Sequence, residues 1–201
     1  MTHIIHSEKV LLMKLFLSTL ILLFSFQSLI KADISEFEIE GISIGDSLLN
    51  FMTEGEIKKK SSDTYYYKDN KYVYYFFPSL DFLTTYESLQ VTVKPKDKKY
   101  LIEGIDGVIR YRDIKECNKK LAEIKNELEN LFGIDAIFHE GEHPGYKNST
   151  YTRYNFYLSD GKVDCVCFDM SQKFENQGKL DSLYISISSK DFNQFITYEN
   201  Y

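Results

Sequence analysis

Residues 113–132 read DIKECNKKLAEIKNELENLF, and theirs is the one unambiguous helical period beyond the N-terminal leader. Ile114, Cys117, Leu121, Ile124, Leu128 and Leu131 recur three and four residues apart, so on a helix they form a single apolar stripe. Lys115, Lys119, Lys120, Glu123, Asn126 and Glu127 fall on the other faces. Asp113 has the side chain of an N-cap, Glu116 stands where the reciprocal partner of a capping box belongs, and Gly133 supplies a left-handed stop. Each of the six apolar side chains is worth roughly 1.5–3 kcal/mol on burial before entropy is subtracted, so the stripe is expected to anchor the core.

Working outward, both flanks read as strands. Upstream, residues 36–44 predict a strand interrupted at Gly41. A short helix follows, capped by Asp46 or Ser47, with Leu48, Leu49, Phe51, Met52 and Ile57 on its apolar side. Residues 65–77, dense in Tyr, Val and Phe, predict a hairpin turning at Asp69-Asn70, and residues 88–94 and 100–111 two further strands. Downstream, strands are expected at 135–138, 150–158, 162–170 and 180–188, with a turn at Ser159-Asp160-Gly161, before a last short helix at 190–196. Strands in two runs with one long helix between them predict an α+β fold. Its expected form is a mainly antiparallel meander of hairpins packed on that helix, with short N- and C-terminal helices. Ile39-Glu40-Gly41-Ile42 recurs as Ile102-Glu103-Gly104-Ile105, a match short enough to arise by chance in a chain rich in Ile and Glu.

The N-terminus indicates where the protein goes. Lys9 and Lys14 lead into an apolar run at 15–26, followed by more polar residues up to Ala32 and by Asp33. That is the tripartite layout of a signal peptide, with cleavage expected after Ala32. The run is short for a membrane span and contains Ser18, Thr19 and Ser25. Residues 1–32 are therefore expected to be a leader and 33–201 a single domain, periplasmic or secreted, with no stable membrane insertion once the leader is removed. Taking the leader's three basic and one acidic side chains from the chain's 24 and 30 leaves 21 and 29, a net charge of −8. This balance opposes nucleic-acid binding.

Two motifs suggest catalysis. Gly45-Asp46-Ser47-Leu48 resembles the signature of the GDSL (SGNH) esterase and lipase family, in which Ser47 would be the nucleophile. That family's mechanism also needs oxyanion donors in a G-x-N-D block and a His near the C-terminus, and the chain has neither. His139-Glu140-Gly141-Glu142-His143 formally matches the H-E-x-x-H zinc pattern, but that chemistry requires a helix, and Gly141 with Pro144-Gly145 opposes one. His139 and His143 thus remain a weak metal-site alternative. No motif calls for a cofactor.

The cysteines and tyrosines point elsewhere. Cys165 and Cys167 lie two apart on an expected strand and share a face, while Cys117 lies in the helical stripe. A disulfide from Cys117 to one of the two is expected in an oxidising compartment. In the hairpin, Tyr65, Tyr66, Tyr67, Tyr74 and Tyr75 make both faces aromatic and form a candidate binding surface for a partner protein or a small apolar ligand. The opening, Ile39-x-Gly41-x-x-x-Gly45-Asp46-Ser47-Leu48, resembles the start of small exported proteins of AT-rich bacteria, a resemblance that implies no activity. The functional expectation is a non-catalytic periplasmic or secreted binding module, with a small secreted serine esterase using Ser47 as the alternative.

Overall fold

Alternation of apolar and polar residues builds one sheet from eight stretches of the chain. The computed structural model describes residues 33–200; the expected leader lies outside them. Eight strands follow in sequence: β1 (Asp63–Tyr66), β2 (Val73–Phe77), β3 (Ser88–Val93), β4 (Ile102–Tyr111), β5 (Ile137–Glu142), β6 (Thr150–Tyr157), β7 (Gly161–Asp169) and β8 (Asp181–Ser189). Four helices accompany them: α1 (Glu54–Lys60), α2 (Ile114–Phe132), α3 (Gln172–Glu175) and α4 (Lys190–Tyr198). The strands form a single antiparallel sheet in the order β1-β2-β3-β4-β8-β7-β6-β5.

This corrects the expected architecture. The molecule contains both α and β elements, but its organising element is the eight-stranded sheet, and the 19-residue α2 covers only part of one face, across β7, β8 and β4. Two four-stranded meanders merge because β4 and β8 pair along eight residues, from Gly104↔Ser188 to Tyr111↔Asp181. Nothing in the local period of either strand announces that pairing, because hydrogen bonds between strand edges are indifferent to sequence separation.

The helix itself follows from its caps. The Asp113 side chain accepts from the Lys115 N–H, and Gly133 adopts φ 64° to end the helix. Cys117, Leu121 and Leu128 are buried and Ile114 and Ile124 half-buried, whereas Leu131, expected in the stripe, is 61% exposed. The N-terminal expectations also change. Residues 36–44 form no strand: a 3₁₀ turn at Ile34–Glu36 leads into a tight turn closed by Ile39 and Ile42, with Glu40 and Gly41 at positive φ. The expected helix near Ser47 is a 3₁₀ turn, Leu48–Asn50, and the true helix α1 begins later, where Thr53 and Glu56 make a reciprocal capping box. The repeated tetrapeptide marks no duplication, since its first copy is that turn and its second opens β4.

Period 2 sorts the sheet's two faces. One carries Val91, Ile105, Ile187, Val163 and Phe156, directly paired in turn across five strands, and is buried under α2 and the N-terminal segment. The core lies there. Cys117 bonds to Cys167, with Cα atoms 6.1 Å apart, and Cys165 is a buried free thiol. Register explains the choice between the two. Cys167 pairs with Leu183, which pairs with Ile109, so it sits at the end of the sheet where β4 runs out into α2; Cys165 lies one pleat further away.

Candidate binding face

The opposite face of the sheet is the chemically unusual one. Its side chains alternate with the core residues: Gly104, Asp106, Val108 and Arg110 on β4, Ser182, Tyr184, Ser186 and Ser188 on β8, and Lys162, Asp164, Val166 and Phe168 on β7. One end is closed by α4. Its Phe192 lies over Gly104, where an added Cβ would sit 2.8 Å from the ring, and Phe192 and Phe195 pack with Tyr72 and Tyr67. The rest of the face is partly covered: Val108, Val166 and Ser182 are buried, whereas Asp106, Phe168, Tyr184 and Ser186 keep some exposure.

A row of directly paired residues crosses it from edge to edge: Asp63, Phe76, Gln90, Asp106, Ser186, Asp164, Asn155 and Ile137. Acidic and amide side chains in the middle of a sheet are costly unless paired. Asp164 is held by Lys162 at 2.8 Å, yet its Oδ1 has no hydrogen-bond partner, and neither has the Oδ1 of the buried Asn155. Asp106 forms no ion pair among the described residues. Side chains crowd around it although it keeps some exposure, and this desolvation, opposed by a hydrogen bond to Ser186 and reinforced by Asp164, pushes its carboxyl up to about 6.

Asp106 lies in the wall of a cavity of about 640 Å³. Phe76, Phe168, Tyr184 and Tyr146 contribute its aromatic surface, and Ser182 and Ser186 its hydroxyls. The rings of Phe168 and Tyr184 meet edge to face with centroids 5.4 Å apart. Arg110 and Lys179 also line it, but the Arg110 guanidinium is bound to Glu87 at 2.8 Å and the Lys179 ammonium rests 5.8 Å from the centre of the Tyr146 ring. His143 completes one side. Its Nδ1 accepts the N–H groups of Gly145 and Tyr146, its ring packs on Phe168 at 4.5 Å, and burial holds its pKa below the ordinary imidazole value. A neutral imidazole therefore pins the loop after β5.

The residues singled out from sequence are scattered. Ser47 caps the 3₁₀ turn: its Oγ accepts from the Leu49 N–H and donates to the Lys99 carbonyl. Asp46 accepts the Ser43 N–H. His139 lies within β5, opposite Arg153, and His143 just beyond its end, so a strand separates the two imidazoles where a helix would juxtapose them. Among the described residues no group of three or more His, Cys, Asp and Glu is arranged to hold a metal. The hairpin tyrosines divide between the two faces. Tyr65, Tyr67 and Tyr74 cluster on the open face, with centroids 5.3 to 6.3 Å apart, while Tyr75 packs against the core and Tyr66 stays 53% exposed.

Sequence reasoning missed Asp106, Tyr184, Phe168 and Ser186. A signal existed: Ser182, Ser186 and Ser188 alternate with Leu183, Ile185 and Ile187, the mark of a strand with one buried and one open face. Comparison with known proteins brings no match to this chain from family models, curated proteins or solved structures.

Proposed function

We propose that the protein is a non-catalytic binding module of an exported chain, and that the open face of its sheet is the binding surface. The observation that carries this reading is the cavity of about 640 Å³, within the size range of small-molecule sites, where a desolvated carboxylate that forms no ion pair among the described residues shares the wall with the rings of Phe76, Tyr146, Phe168 and Tyr184. A protein that needed only a stable sheet would gain by covering that face or by replacing Asp106. Export fits the disulfide between Cys117 and Cys167, since such bonds persist in oxidising compartments. Among the described residues no helix is long and apolar enough to cross a membrane.

The test is a small-molecule screen by two-dimensional NMR on the purified protein, beside Ser186→Tyr, which adds a ring to the cavity wall. Shifts that map to Tyr184, Phe168 and Ser182 and vanish in the variant are expected. Labelling of Ser47 by a fluorophosphonate probe, absent in Ser47→Ala, would overturn the non-catalytic reading.

A further inference from the structure

We propose that this cavity receives an organic ammonium group, a substituted amine carried on a small carbon body, seated between the Asp106 carboxylate and the rings of Tyr184, Phe168 and Phe76. The inference rests on the binding-module reading and names its ligand class.

Among the described residues Asp106 has no cationic partner, and Asp164 adds to the negative field although Lys162 is bound to it. The Asp106 carboxylate receives a hydrogen bond from Ser186, a neutral hydroxyl that leaves its charge without a counterion. A neutral apolar guest would bury the carboxylate further without compensation, and an anion would be repelled by it. A small metal ion would need several hard oxygen or nitrogen ligands, which the described residues do not group together. An alkylammonium satisfies both surfaces, because its charge pairs with the carboxylate while its methyl or methylene groups lie against aromatic faces. The two basic side chains of the lining are directed elsewhere, Arg110 to Glu87 and Lys179 to the Tyr146 ring, and neither forms an ion pair with Asp106. The phenols of Tyr67, Tyr74 and Tyr184 lie close enough to Asp106 to feel its charge, so the acid stands among aromatic rings on several sides.

The experiment is a calorimetric and NMR titration of the purified protein with choline and with its neutral isostere 3,3-dimethylbutan-1-ol, at neutral pH. Choline is expected to bind at least about tenfold more tightly than the alcohol, with shifts at Tyr184 and Phe168. Asp106→Asn is expected to abolish that preference while leaving the alcohol's affinity unchanged. Tyr184→Leu, a second variant that retains the carboxylate, should weaken choline by roughly five- to tenfold. Equal affinity for the two probes would overturn the ammonium assignment and leave the binding face standing. Failure of both probes to perturb the cavity, with another compound from the screen binding there, would do the same, whereas a screen with no shifts at all would remove the binding face as well.

Discussion

Cys117 in the first turn of α2 is bonded to Cys167 near the end of β7, with 6.1 Å between their Cα atoms, so one covalent link ties the helix to the half of the sheet that follows it. The two residues are 50 positions apart in the chain. Closing a loop of that length is worth about 4 kcal/mol in the chain-entropy account. Cys117→Ser with Cys167→Ser is expected to lower stability by roughly 2–4 kcal/mol in denaturant titrations. Burial raises the pKa of the remaining thiol, Cys165, so alkylation of the native protein should leave it unmodified until the chain is unfolded.

Gly107 illustrates a different constraint. A Cβ built at this position would run into the ring of Tyr86, a half-buried residue packed on the core face, whose hydroxyl pKa is pushed up to about 12 by burial. Gly107→Ala is expected to cost roughly 1–3 kcal/mol by displacing that ring. Gly55, in the first turn of α1, has nothing closer than the Thr53 hydroxyl at 4.0 Å. Gly55→Ala should therefore stabilise the protein by up to about 1 kcal/mol. Thermal melts of the two variants should move in opposite directions.

Asp106 makes stability depend on pH in an unusual sense. Its folded pKa is raised, so between about 4 and 6 the native state holds the proton more firmly than the unfolded chain does, and its contribution falls as pH rises through that window. Above about 6 the full penalty remains. Asp164 from β7, Ser186 from β8 and the phenols of Tyr67, Tyr74 and Tyr184 surround the carboxyl, with Arg110, Lys179 and the neutral His143 along the same cavity. Asp106→Asn is expected to match the native protein at pH 4 and to exceed it by roughly 1–3 kcal/mol at pH 7, as urea titrations at the two values would measure. Equal differences at both values would disprove the titration.

Local signals reached a long way into this protein. The stripe from Ile114 to Leu128, with Asp113 and Gly133 at its ends, suffices to place α2, because a helix satisfies its hydrogen bonds within a few residues. Tyr-, Val- and Ile-rich alternation likewise placed most strands, and the shared face of Cys165 and Cys167 brought a disulfide to Cys117 within expectation. At the N-terminus the same reasoning failed, since Ile39 and Ile42 bury their side chains from a turn as fully as a strand would.

What only the tertiary structure decided is which strands are neighbours. The pairing of β4 with β8 sets Asp106 against Ser186, and that of β8 with β7 sets Ser186 against Asp164, so the acidic row exists only in the assembled sheet. The same pairings bring Tyr184 and Phe168 beside it and put Cys167, not Cys165, beneath the start of α2. A strand's sequence specifies which side chains face the core, because that is a matter of local alternation. Its partners are chosen by the free energy of closing one sheet over one core, to which residues from every part of the chain contribute.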